Sequence, residues 1–132
     1  MRTHKAPNPQ LMAYFEKEIL PLVPYELKTF DDRLNLAGLP QRKYFLFGSF
    51  AEGKPSLRSD VDVAVVFDDL EIVLSSAFYG LLGEKGMLTR IKGARVEMTL
   101  FDEDDIEIMR HENPGIREIK AERENISPER LG

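Results

Sequence analysis

The sequence has 132 residues and a formal net charge of -5, with 42% hydrophobic and 31% charged residues. This length fits one compact domain with an ordinary apolar core, so we predict a single domain over residues 1–132. The chain contains no cysteine, which excludes disulfides and thiolate metal sites and fits a cytoplasmic protein. The acidic balance and the scattered basic residues make nucleic acid an unlikely main partner. No stretch approaches the roughly 20 apolar residues of a membrane-spanning helix, so no membrane association is expected.

The N-terminal part of the chain carries helical signals. Asn8-Pro9 is typical of a helix start, and apolar residues then recur at helical spacing as far as Leu20. Pro21 and Pro24 predict a break or a new start. A second helix is predicted from about Tyr25 to Ala37.

Two apolar runs in the middle of the chain predict strands. The first is Tyr44 to Phe47, and a segment rich in turn-forming residues follows it. The second is Val61 to Phe67, which is apolar on both faces except at Asp62 and therefore suits a central strand. A helix is predicted from Glu71 to about Leu82.

Alternation and capping patterns organise the last third of the sequence. Residues Arg95 to Phe101 alternate as a third strand, with Glu97 on the polar face. Asp102 is a typical N-cap for the helix that follows. Asn113-Pro114 interrupts that helix, and a last helix is predicted from Ile116 to Ile126. The order of elements predicts an α+β fold, in which a small mixed sheet is flanked by helices.

The residues with chemical potential lie around the second strand. Gly48-Ser49 directly follows the first strand, where a glycine allows close approach of a ligand and helix-start amides favour phosphate. Asp60 and Asp62 are two residues apart, so their side chains share one face of the strand. Paired carboxylates beside an apolar strand are costly unless a cation compensates them, and Mg²⁺ prefers such oxygen ligands. The pattern predicts metal-assisted phosphate transfer.

Glu97 is a candidate third metal ligand. If its strand lies beside Val61–Phe67, the side chain can reach the same metal pair as the two aspartates. The alternative is that Glu97 belongs to a solvated strand face. Gly48-Ser49 taken alone is more often an ordinary turn.

Taken together, Gly-Ser, ten residues, Asp-x-Asp and a later strand carboxylate resemble the nucleotidyltransferases of the DNA polymerase beta superfamily. The chain is most similar to the bacterial minimal nucleotidyltransferases. The resemblance runs from about Phe45 to Phe101 and implies a polymerase-beta-like core at about residues 43–101. It extends to Asn113-Pro114 and to Arg117-Glu118-Ile119-Lys120, which resemble the terminal helix of that group. The resemblance implies metal ligands for Mg²⁺ or Mn²⁺ at Asp60, Asp62 and Glu97, and contacts to a nucleoside triphosphate at Gly48, Ser49 and Ser59.

The resemblance also implies an activity and a kind of partner. Family members transfer a nucleoside monophosphate, often AMP from ATP, to a hydroxyl, and some are antitoxins that modify a HEPN-domain toxin on tyrosine. The expected acceptor is such a partner protein, or a second copy of the chain, because no second domain is evident that would hold a small molecule. The chain departs from the pattern at Glu52, where many minimal members carry a basic residue, and Lys54 or Arg58 can substitute. The alternative is a protein of this fold that acts by docking a partner, with catalysis weak or lost.

Overall fold

The computed structural model describes residues 9–55, 60–74 and 87–121. A helical N-terminal segment precedes a sheet whose strands are interspersed with short helices. In chain order the elements are α1 (Pro9–Tyr14), a π-helical turn (Phe15–Ile19), a 3-10 turn (Leu20–Leu22), α2 (Val23–Leu36), β1 (Arg42–Phe47), α3 (Gly48–Ala51), β2 (Val61–Phe67), α4 (Leu70–Leu74), β3 (Met87–Ile91), β4 (Ala94–Leu100), α5 (Glu103–Glu112) and β5 (Arg117–Ile119).

The sheet has five strands in the order β3-β4-β2-β1-β5. Strand β2 lies at the centre, where it pairs in parallel with β4 and antiparallel with β1. The two outer pairs, β3 with β4 and β5 with β1, are antiparallel. The predicted α+β class and mixed sheet are therefore confirmed.

The three predicted strands are present. Strand β2 has the predicted bounds, β1 begins two residues earlier than predicted, and β4 is shifted by one residue. Strand β3 was not predicted. It forms a hairpin with β4 through Lys92-Gly93, where both residues have positive φ, as the favoured two-residue turn requires.

The N-terminal helical prediction holds with different boundaries. The break falls at the 3-10 turn, and α2 already begins at Val23 because Pro24 lies in its first turn, where a proline removes no helical hydrogen bond. The predicted cap Asn8 lies outside the described residues. Of the predicted helix over residues 71–82, the described part is α4, and the remainder lies outside the described residues.

The prediction of a last helix from Ile116 to Ile126 is wrong for its described part. Residues Arg117–Ile119 form β5, which pairs with β1, so their resemblance to a terminal helix does not hold. The turn at Pro114-Gly115 ends the preceding helix, and Ile116 and Ile119 are buried. Pairing with β1 stabilises a strand here more than the local sequence pattern stabilises a helix.

Each face of the sheet is covered by different helices. On one face, the ring of Phe30 in α2 packs edge-on against Tyr44, with their centroids 6.1 Å apart. On the other face, α5 buries Ile106 and places the Arg110 guanidinium 4.9 Å from the centroid of Phe45. Among the described residues, no helix has both the length and the apolar character required to cross a bilayer.

A buried polar cluster joins α2 to the start of β1. The Arg42 side chain is 2% exposed, and its Nη1 lies 2.6 Å from Oδ1 of Asp31. The Tyr44 hydroxyl donates to the same carboxylate oxygen, and Arg42 also donates to the carbonyls of Leu39 and Pro40. Burial and the hydrogen bond to Asp31 raise the pKa of Tyr44 well above its usual value. This cluster fixes the end of the sheet that is remote from the Gly-Ser turn.

Replacing Arg42 should therefore destabilise the fold. Arg42→Met leaves the Asp31 carboxylate and two backbone carbonyls without their cation, and we expect a loss of about 2–3 kcal/mol in the free energy of unfolding. Urea denaturation measures this loss. The control is Arg33→Met, which removes an exposed arginine from α2. Equal effects of the two substitutions would contradict a structural role for the cluster.

Candidate active site

The strand register brings the predicted carboxylates to one edge of the sheet. Asp62 on β2 is the direct partner of Glu97 on the parallel strand β4. Asp60 immediately precedes β2 and lies two residues before Asp62, so it is on the same face. The condition for a shared site, that the third strand lies beside Val61–Phe67, is met.

Gly48 lies against the Asp62 carboxylate. Phe47 is the partner of Asp62 across β1 and β2, so the chain enters α3 directly beside this aspartate. Gly48 has a φ of +77°, and a Cβ built there would come within 2.2 Å of Asp62 Oδ2. Both the backbone conformation and the space therefore require glycine at this position. The close contact brings the Gly-Ser turn and the carboxylates into one site.

The carboxylates interact unfavourably with each other. The pKa of Asp62 is raised from 3.8 to about 6, mainly by burial and additionally by the negative charges of Glu97 and Asp60. Such a cluster is the chemistry that a divalent cation compensates, because oxygen ligands with net negative charge suit Mg²⁺ and Mn²⁺. The chemical type of these ligands therefore suits a divalent metal ion.

Asp60 faces an arginine in this structure. Its Oδ1 lies 3.7 Å from Nε of Arg95, which precedes Glu97 by two residues on β4 and shares its face. Within residues 9–55, 60–74 and 87–121, no group of three or more His, Cys, Asp or Glu side chains is placed so that it could hold a metal ion. A metal shared by Asp60, Asp62 and Glu97 would therefore require their carboxylates to converge, and Asp60 to turn from Arg95.

Two aromatic rings form the wall of the site toward α5. The centroids of Phe47 and Phe101 are 5.0 Å apart with an interplanar angle of 67°. In the register, Ala64 lies between Phe45 on β1 and Thr99 on β4 on the same face. This apolar wall lies beside Asp62, the aspartate whose pKa is raised by burial.

Some of the predicted site residues can be placed and others cannot. Gly48, Asp62 and Glu97 lie together, and Ser49 follows in α3 with its side chain partly exposed. Ser59 and Arg58 lie outside the described residues. Glu52 and Lys54 are exposed just beyond α3.

Arg95 was placed on the polar face from the sequence but was assigned no role in the site. Because it lies two residues before Glu97, the same alternation that placed Glu97 on the polar face also places Arg95 there. Its proximity to Asp60 depends on the pairing of β2 with β4, which local alternation does not give.

Fold and site together define a small α+β domain that presents a row of carboxylates beside a Gly-Ser turn. A family model described as "Polymerase beta, Nucleotidyltransferase" matches residues 41–126, which include all five strands of the sheet. The chain belongs to this family. A search of curated proteins and a search of solved structures each returned no match.

The contact between Gly48 and Asp62 can be tested with a matched pair of glycines. Gly38 has a similar φ of +79°, but a Cβ there would meet nothing within 4 Å. Gly38→Ala should cost about 1 kcal/mol of stability, from backbone strain alone. Gly48→Ala should cost about 1–2 kcal/mol more, because Asp62 must move.

Thermal and urea unfolding of these variants, alone and combined with Asp62→Ala, measure the contact. Truncating Asp62 removes the two atoms nearest to the added Cβ, so the extra cost of Gly48→Ala should shrink in the double variant. Strictly additive effects would show that the two residues do not touch.

The raised pKa of Asp62 predicts a pH-dependent stability of the metal-free protein. Protonation of Asp62 stabilises the folded state. This contribution to the free energy of unfolding is fully present below about pH 4 and is lost as the pH rises through about 6. Asp62→Asn cannot ionise, so in chelator it should become more stable than the wild type across this range, by about 2 kcal/mol near pH 7. Urea denaturation between pH 4 and 8 tests this. Asp68→Asn, at an exposed position just after β2, is the control, and a wild-type profile parallel to that of Asp62→Asn would disprove the shift.

Proposed function

We propose that this protein is a minimal nucleotidyltransferase that moves a nucleoside monophosphate, AMP by preference, from a nucleoside triphosphate to a hydroxyl. The observation that carries the proposal is the position of Asp62, which is beside Glu97 in the register and against the backbone of Gly48. Membership of the polymerase beta nucleotidyltransferase family supports the same chemistry.

Each part of the site has a role in this proposal. Asp60, Asp62 and Glu97 would hold Mg²⁺ or Mn²⁺, which would neutralise phosphate charge and activate the attacking oxygen. The Gly48 backbone and the Ser49 hydroxyl would contact the triphosphate. The hydroxyl oxygen of the acceptor forms a bond to the α-phosphorus, the bond from that phosphorus to the bridging oxygen breaks, and pyrophosphate leaves while the hydroxyl proton passes to solvent.

The proposed acceptor is a hydroxyl on a partner protein, such as a HEPN-type toxin, or on a second copy of the chain. The net charge of -5 supports a protein over a nucleic acid, because nucleic-acid surfaces require a basic track. A protein acceptor also brings its own binding surface to an open site. The proposed place of action is the cytoplasm.

A second candidate is a protein that docks its partner without efficient transfer. The exposed Glu52 favours this alternative, because it stands in the loop after the Gly-Ser turn where a basic residue would attract phosphate. Binding of nucleotide separates the two candidates, since a docking protein has no need of it.

Calorimetry with ATP tests the proposal directly. We expect binding with Mg²⁺ present that weakens at least about tenfold in chelator, because the carboxylates and phosphates share the metal. Asp62→Asn and Glu97→Gln should weaken metal-dependent binding similarly, and Asp68→Asn should leave it unchanged. Equal affinity with and without metal would refute the assigned metal site, and absence of ATP binding would favour the docking protein.

A further inference from the structure

Two exposed arginines lie opposite each other on the hairpin of β3 and β4, beside the carboxylates of the site. Arg90 on β3 is the direct partner of Arg95 on β4, so both side chains project from the face that carries Glu97. Like charges placed directly opposite each other destabilise a strand pair. A bound anion would relieve this repulsion.

The protein itself compensates the pair only weakly. Arg95 is 49% exposed, and its Nε lies 3.7 Å from the Asp60 carboxylate, which is beyond ordinary hydrogen-bond distance. In the part of the chain that the structure describes, the Arg90 guanidinium makes one hydrogen bond, of 3.4 Å, to the neutral carbonyl of Gly93. If Asp60 turns toward a metal, Arg95 loses its nearest carboxylate as well.

The sheet order separates Arg90 from the nucleotide side of the site and places Arg95, on β4, between Arg90 and Asp60. Gly48-Ser49 follows β1, and the aspartates on β2 and Glu97 on β4 lie between that turn and Arg90 on β3. Adjacent strands are about 4.8 Å apart, so β3 lies about 14 Å from β1 across the sheet. When a triphosphate is held at the Gly-Ser turn, the two arginines face a ligand that approaches from the β3 side of the sheet.

We infer that Arg90 and Arg95 form an anion-binding subsite for the acceptor, which carries an aspartate or glutamate beside the hydroxyl that receives the nucleotide. The inference rests on the proposed function and adds the chemistry of the acceptor. Guanidinium groups bind carboxylates through paired, charge-assisted hydrogen bonds.

An acidic peptide segment suits this subsite better than a nucleic acid. A nucleic-acid backbone calls for a longer track of unpaired basic groups. The next basic residue along the hairpin, Lys92, is bound to Glu18 at 2.8 Å. A patch of two arginines on an acidic chain matches one or two carboxylates.

Peptides with a central tyrosine, serine or threonine test the inference. Three sets with glutamate, glutamine or lysine on both sides of the hydroxyl residue are incubated with labelled ATP and Mg²⁺. We expect kcat/KM to be about tenfold higher for glutamate flanks than for glutamine flanks, because each carboxylate gains a charge-assisted bond. Arg90→Gln should remove most of this preference, and Arg90→Glu should shift it toward lysine flanks. The control is Arg117→Gln, which removes an exposed arginine from the edge strand β5.

Separate measurements distinguish failure of the inference from failure of the proposed function. ATP binding by calorimetry should be unchanged in Arg90→Gln. Weaker ATP binding with the peptide preference intact would assign the pair to the nucleotide and overturn the inference. Stronger competition by an oligonucleotide than by the glutamate peptide would also overturn it, in favour of a nucleic-acid acceptor.

If the peptides are poor acceptors, their binding to the protein tests the inference instead. Binding of the labelled peptides is then measured by fluorescence anisotropy, with Mg²⁺ and a non-hydrolysable ATP analogue present. If neither assay shows a preference for glutamate flanks, the inference is overturned. The proposed function is unaffected by that result as long as ATP binding depends on metal. Loss of that ATP binding in the wild type refutes the proposed function itself.

Discussion

The Asp62 carboxylate lies between a second carboxylate, that of Glu97, and the backbone of Gly48. Parallel pairing of β2 with β4 places Glu97 at its side, and antiparallel pairing of β1 with β2 brings Gly48 into contact with its oxygen. Neither neighbour relieves its charge. The site is therefore a place where the fold accepts an electrostatic cost, and the remaining strand pairs and the apolar core must offset it.

The two ends of the sheet are built for different tasks. At the end remote from the Gly-Ser turn, Arg42, Asp31 and Tyr44 satisfy one another in a buried cluster. At the site end, Asp62 and Glu97 face each other, and Arg95 is only loosely opposed to Asp60. A paired cluster at one end and incomplete pairing at the other suit a rigid scaffold with a binding site, since preorganised groups must keep capacity for a ligand.

The sequence reveals the centre of this fold better than its edges. Strand β2 was predicted with its bounds because its apolar run is buried on both faces, and the spacing of Asp60 and Asp62 gives their common side directly. The position of Glu97 was predicted only conditionally, because strand adjacency is a long-range property that local periodicity does not encode. Strands β3 and β5 were missed for the same reason, since pairing with β4 and β1 decides their structure.

The distribution of charge across the sheet gives the site a direction. Glu52 stands just after the Gly-Ser turn, while Arg95 shares β4 with Glu97 and Arg90 lies beyond it on β3. From β1 to β3 the face therefore carries the Gly-Ser turn, the two aspartates beside β2, Glu97 with Arg95 on β4, and Arg90 on β3. Because neighbouring strands are about 4.8 Å apart and exposed charges act over about 10 Å at ordinary salt, the carboxylates and the arginines contribute to one local potential. A cation bound by the carboxylates would offset most of their charge, so that an anionic ligand approaching from the β3 side meets the two guanidinium groups, whereas on the β1 side the turn and the cation must supply the attraction.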